Sequence, residues 1–277
     1  MSFSISNGTT ALGLLSSITA SSGSTDLVSI LYGGGAQASG DPVSNLISAE
    51  TNQTKDIAQQ QNDPSTARDI AQFLKVAKSA PDLKTLLADP TAAKVFLTAN
   101  GLGDQTAYPA LAIKALSSDP TVTGNLASTL SNPAWLTTAK TYSFATKGLS
   151  VLQQPSALTS ITSGYAQVQW EQSLDKTTPG LSAALDFRSR ASTFKTADQI
   201  LGDANVRAVV TGALGIPQEI AYQSLTTQEK VITDRLDISK LQDPKFVEQM
   251  ARSYLVQNAS NSASSGDQTG GLLSLFT

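Results

Sequence analysis

Residues 69–103 and 183–217 can be laid over one another without a gap. "DIAQFLKVAKSAPDLKTLLADPTAAKVFLTANGLG" matches "AALDFRSRASTFKTADQILGDANVRAVVTGALGIP" at a constant offset of 114, the spacing of Phe73 and Phe187. The identities are Phe73/Phe187, Ala77/Ala191, Leu87/Leu201, Asp89/Asp203, Val95/Val209, Ala99/Ala213 and Gly101/Gly215. Most are apolar, capping or turn positions, so the pattern records architecture. A second pair, "LSNPAWLTTAKTYSF" (130–144) and "LQDPKFVEQMARSYL" (241–255), aligns at an offset of 111, which leaves the second copy with a loop three residues shorter. A unit of this size buries its apolar face against its neighbour. With two copies the reading is a pseudo-twofold pair.

The period inside each copy is helical. Asp or Asn precedes Pro at Asp41-Pro42, Asp63-Pro64, Asp89-Pro90, Asp119-Pro120, Asn132-Pro133 and Asp243-Pro244. The side-chain oxygen of such a residue accepts from the free N–H groups of a first helical turn, and Pro at the next position has its φ already set. The six pairs predict six helix starts. Apolar stripes follow: Ile70, Phe73, Leu74 and Ala77 in one case; Phe246, Val247, Met250 and Tyr254 in another. Alternating β-branched runs are scarce. The fold class is therefore all-α: two duplicated multi-helix units packed as a pseudo-twofold helical domain, with flexible polar tails at both ends.

Copy one spans about 69–144, with helices over 69–79, 90–100, 106–117 and 133–144. A linker helix covers about 156–174, copy two covers about 183–255, and Asp41–Gln60 forms one helix ahead of copy one. Gly101 and Gly215 suit the left-handed position that ends a helix. Trp135 and Trp170 are assigned to the core or to packing between copies. Trp135 and its counterpart Phe246 anchor the closing helices, so Phe246→Ala is expected to cost about 3–5 kcal/mol, the range for a buried aromatic.

Residues 1–40 and 258–277 are rich in Ser, Thr and Gly and bury too little apolar surface to offset ordering entropy. Each nevertheless carries a small apolar cluster: Leu12, Leu14, Leu15 and Ile18 at one end, and Leu272, Leu273, Leu275 and Phe276 at the other. These clusters are the candidate partner-binding residues, docking elements that order on a partner.

Composition removes many chemistries. The 277 residues contain no Cys and no His, which takes away disulfides, the usual zinc, haem and copper ligands, and the triads built on His. No metal-binding, cofactor-binding or catalytic residue is assigned. Charged residues make up 15% and net charge is −3, so nothing marks a nucleic-acid or anionic-membrane surface. No run reaches the ~18 apolar residues that span a bilayer. The first basic residue is Lys55, which leaves the N-terminus without the basic region of a cleaved secretory signal.

Two short motifs invite chemistry. "STFK" (Ser192–Lys195) has Ser-x-x-Lys spacing, and a Ser-Lys hydrolase is the enzymatic alternative; its counterpart in copy one, "KSAP", keeps neither group. "YGGGAQASG" (32–40) lacks the Lys-Ser/Thr of a phosphate loop and reads as linker. Arg188, Arg190, Arg207, Arg235 and Arg252 all fall in the second half, consistent with a salt-bridged face.

"ARDIAQFLKVAKSA", "LLADPTAAKVFLTANGL", "DQILGDANVRAVVTGALGIP" and "RLDISKLQDPKFVEQMARSYL" together resemble the alphaproteobacterial domain-of-unknown-function family 1217, over roughly residues 40–257. Members are often encoded among flagellar genes. The resemblance therefore implies a non-enzymatic structural or interaction protein of the bacterial flagellum or its assembly, exported without a cleaved signal peptide. Its partners would be flagellar proteins, with self-association possible. The alternative is a cytoplasmic flagellar adaptor or export chaperone. The family brings no catalytic residues.

Overall fold

The computed structural model describes the backbone of residues 41–273, and side chains as far as Ser262. Leu12, Leu14, Leu15, Leu275 and Phe276 lie outside the described residues, as do the side chains of Leu272 and Leu273.

Among the described residues every regular element is a helix. In chain order they are α1 (Pro42–Gln61), α2 (Pro64–Ser79), α3 (Leu83–Ala88), α4 (Pro90–Ala99), α5 (Pro109–Leu116), α6 (Leu126–Thr129) and α7 (Ala134–Tyr142). There follow α8 (Phe144–Lys147), α9 (Pro155–Leu174), α10 (Leu181–Arg190), α11 (Ala197–Leu201), α12 (Ala204–Ala213), α13 (Leu225–Arg235) and α14 (Pro244–Leu273). Short 3₁₀ turns join several of them.

Capping chemistry sets most of the boundaries. Asp63 accepts from the backbone N–H of Ser65 and Thr66 at the head of α2. Asp89 and Asp203 do the same for Ala92 and Val206, at 2.8 and 3.0 Å. Helices also start at Pro42 and Pro244, and α7 starts one residue after Pro133. The remaining pair, Asp119-Pro120, does not begin a helix. Asp119 turns its carboxylate onto the N–H and hydroxyl of Thr121, at 2.9 and 2.7 Å. The following "TVTGN" has β-branched residues, a Gly124 at φ +73° and no apolar stripe to bury, so the turn closes locally instead.

The offset of 114 survives in the element order. α3 and α11, and α4 and α12, occupy corresponding positions. Both α4 and α12 end in the same way. Gly101 (φ +73°) donates to the carbonyl of Thr98 and Leu102 to that of Leu97; Gly215 (φ +59°) donates to Gly212 and Ile216 to Thr211. This double bond is the Schellman ending, and its left-handed residue is nearly free of strain only as Gly.

Two apolar cores follow the two stretches. The first gathers Phe73, Phe96, Trp135, Tyr142 and Phe144 with the first half of α9, through Ile161 and Tyr165. The second gathers Phe187, Phe194, Val209 and Met250 with Trp170 of α9 and, from the start of the chain, Leu46 and Ala49 of α1. Each tryptophan thus lies in a core, and α9 is the element the two cores share. Within the first core, Ser143 (φ +49°) breaks the helix between Tyr142 and Phe144. Two residues apart on an unbroken helix they would point to opposite sides. The bend instead stacks their rings at 5.3 Å and tilts both against Phe96.

Two expectations need correction. Phe246 is only half-buried, with the Lys240 ammonium 5.7 Å from its ring, whereas its counterpart Trp135 is buried. The burying position at that turn is Val247. Phe246→Ala therefore costs less than the about 3–5 kcal/mol of a fully buried aromatic. The second correction concerns the C-terminal tail from Asn258, which is helical through Leu273 in its described backbone. No Gly or Pro interrupts 245–265, the helix is already nucleated on the second core, and extension then adds one hydrogen bond per residue.

Candidate functional site

The side chains of Ser192 and Lys195 are not hydrogen-bonded to each other. Both are exposed, and the Lys195 ammonium donates to the backbone carbonyl of Ser192 at 2.7 Å, not to its hydroxyl. The Gln242 amide donates to the same carbonyl at 3.1 Å.

The richest polar cluster lies in the seam where the two cores meet. Arg190, at the end of α10, sends its Nε to Asp186 at 2.7 Å and its Nη2 to the other oxygen of the same carboxylate. Its Nη1 reaches Asp203 at 3.0 Å. Asp203 is buried and is already the cap of α12, so one carboxylate serves the helix and the ion pair together. Burial works against the guanidinium's charge, but Asp186 and Asp203 outweigh it and raise the arginine further above its ordinary range.

Copy one supplies the other wall. Asn132 donates its amide to Asp203 at 3.1 Å and accepts from the Ala134 N–H at 2.9 Å, so it needs a donor and an acceptor in one side chain. Ser131 donates to Asp198 at 3.0 Å. Two glycines let the walls approach. A Cβ on Gly101 would stand 3.3 Å from the Arg190 Nη1, and one on Gly202 would stand 2.6 Å from the Ser131 Cβ.

Between the walls is a pocket of about 350 Å³, lined among others by Asp104, Glu171, Asp186, Arg190, Asp203 and Asn205. Glu171 comes from α9 and is buried at 4% exposure. Gln167 donates to its Oε1 at 2.8 Å. Burial pushes its carboxyl up to about 7, with Gln167 opposing and Asp186 adding to the rise.

Asp186, Arg190 and Gly202 were hidden because they sit where the two stretches differ, whereas Asp203 is one of their identities and Glu171 lies outside both. At the offset of 114, Gln72 stands for Asp186, Val76 for Arg190 and Ala88 for Gly202. In copy one, Gln72 simply donates to the second oxygen of the cap Asp89, at 2.7 Å. At the corresponding place around Asp203 stands an Asp–Arg–Asp triad. The other arginines of the second half are structural: Arg188 pairs with Glu50, Arg252 pairs with Glu248 at 2.5 Å, and Arg207 donates to the Leu201 carbonyl at 2.7 Å. Arg235 donates to the Leu214 carbonyl at 3.2 Å.

A second pocket, of about 510 Å³, lies between the end of α12 and α14. Here Tyr254 lies flat on α12: a Cβ on Gly212 would be 2.6 Å from its Cδ2, and one on Gly180 would be 2.7 Å from its hydroxyl oxygen. Asn258 adds a bond to the Pro179 carbonyl at 2.6 Å.

Residues 99–247 match the family described as Protein of unknown function (DUF1217). The chain belongs to this family. The matched span runs from the end of α4 to the head of α14 and so takes in Asn132, Glu171, Asp186, Arg190 and Asp203 of the seam. The crystal structure of protein AGR_C_984 from Agrobacterium tumefaciens is similar in fold, with a TM-score of 0.63 at 22% identity, over 81% of this chain and 96% of that one. No curated protein matches the chain. Among the described residues no helix is long and apolar enough to cross a membrane.

Proposed function

We propose that this DUF1217 protein acts without catalysis, through association with protein partners of the bacterial flagellum or its assembly. The observation that carries the reading is α14. Among its described side chains, which end at Ser262, the last buried one is Leu255, yet its backbone stays helical to Leu273, a further length of about 27 Å at 1.5 Å per residue. Val256 and Ala259–Ser262 on this stretch are exposed. A helix with an exposed described surface beyond its last buried turn is suited to docking on another protein. The body behind it is braced by caps, ion pairs and close glycine contacts, as a presenting scaffold requires. A pseudo-twofold relation between the two units belongs to the same proposal. The flagellar placement comes from the family resemblance and the genes that surround its members.

Removing residues 264–277 tests the reading. Thermal stability should stay within a few degrees of the full chain, while capture of flagellar components from crosslinked motile cells should fall. Unchanged capture would overturn the role of α14. Fractionation separates the two placements: recovery with purified flagella marks an exported component, and a wholly cytoplasmic pool marks an adaptor or chaperone.

A further inference from the structure

Glu171 is a buried carboxyl without a cation of its own. Among the described residues no lysine or arginine forms an ion pair with it, and its one hydrogen bond comes from Gln167 to Oε1. Oε2 accepts none, and the side chain lines the seam pocket. The charged groups that act on it are Asp186 and Arg190 from α10 and Asp175 from the end of its own helix. Arg190 is committed to Asp186 and Asp203. Asp203 at the head of α12 and Asp104 from the turn after α4 line the same pocket.

The other helices packed on α9 offer no compensation. Lys94 of α4 and Asp69 of α2 are engaged with each other and with Tyr165, and Glu50 of α1 is engaged with Arg188. Among the described residues Lys55 of α1, and Arg68, Lys75 and Lys78 of α2, form no ion pair with Glu171, and Asp56 of α1 is itself an acid. An uncompensated charge at such a place costs several kcal/mol, so the group is held neutral or the site opens to water.

We propose that Glu171 works as a pH-operated latch on the seam: as a neutral acid it keeps the two halves closed on each other, and as a carboxylate it admits water to the pocket and loosens them. The sign follows from linkage. The closed-state carboxyl titrates at about 7, above the ordinary glutamate value of 4.5 to which it returns when the seam opens. The latch is fully set below 4.5. Between 4.5 and 7 the open form gains by about tenfold per pH unit, and above 7 the effect levels off.

Amide hydrogen exchange at pH 5.5 and 8.0, corrected for intrinsic rates, tests the latch in the full chain. Protection of peptides covering 98–105 and 186–206 should drop by about tenfold or more at the higher pH, while α5 should hold its protection. Glu171→Gln keeps the amide bond from Gln167 and should abolish the pH effect. Unchanged protection in the native chain, or the same fall in the Gln variant, would overturn the proposal. Should the variant fold poorly, carbon NMR titration of Glu171 in the native chain decides: a midpoint near 7 supports the latch and one near 4.5 refutes it.

Discussion

Asn132 and Asp243 stand at corresponding places in the two copies, and the sequence offers no reason why one is an amide and the other an acid. The surroundings do. Asp243 caps α14 in an exposed setting and need only accept, from the Lys245 N–H at 2.9 Å. Asn132 is buried and must also donate to Asp203. Asn132→Asp is therefore expected to set two carboxylates against each other and to cost about 2–3 kcal/mol at neutral pH. Urea unfolding near pH 7 measures it. Asp243→Asn, made as a control, should stay within about 0.5 kcal/mol, since either side chain caps. Capping roles such as these were legible from the Asp-Pro and Asn-Pro spacing. The extra donor role of Asn132 was not, because its partner is 71 residues away.

Among the elements, α12 and α14 pack closely because Gly212 presents bare backbone to the Tyr254 ring. Gly in a helix interior is unfavourable by about 1 kcal/mol relative to Ala, so propensity alone would have Ala there. Gly212→Ala should instead destabilise by about 1–3 kcal/mol, because the Cβ drives α14 away from α12. The same substitution in a Tyr254→Ala background should be neutral or stabilising. A thermodynamic cycle of the four proteins checks the pair, and full additivity would refute the contact. Helix positions here followed from the apolar period and the caps. The break at Ser143 did not, since it answers to core packing from distant elements; the short α3 and α6 start on the local caps Asp82 and Asn125, without a Pro to mark them. Ser143 is a case in point: a left-handed serine is explained only by two aromatics that must share one core.

At the scale of the molecule, the seam decides whether two cores behave as one. Arg190 neutralises two carboxylates that the fold has placed side by side. Arg190→Ala leaves both uncompensated, one of them buried, at an expected cost of about 3–5 kcal/mol. It should also uncouple the halves. Trp135 lies in the first core and Trp170 in the second, so single-tryptophan variants report each separately. In the native seam their denaturant transitions should coincide; in the Arg190→Ala background they should part. Coincident transitions there would mean that α9 alone carries the coupling.

The sequence by itself determined the helical class, most helix starts, the glycine endings at 101 and 215 and the repeated core positions, because each of these rests on contacts within a few residues or on a short period. Only the tertiary structure decided which oxygen of Asp203 meets Arg190, why Glu171 is left without a counter-charge, and that α1 closes the second core and not the first. Those outcomes depend on side chains brought together across scores of residues, which no local pattern records.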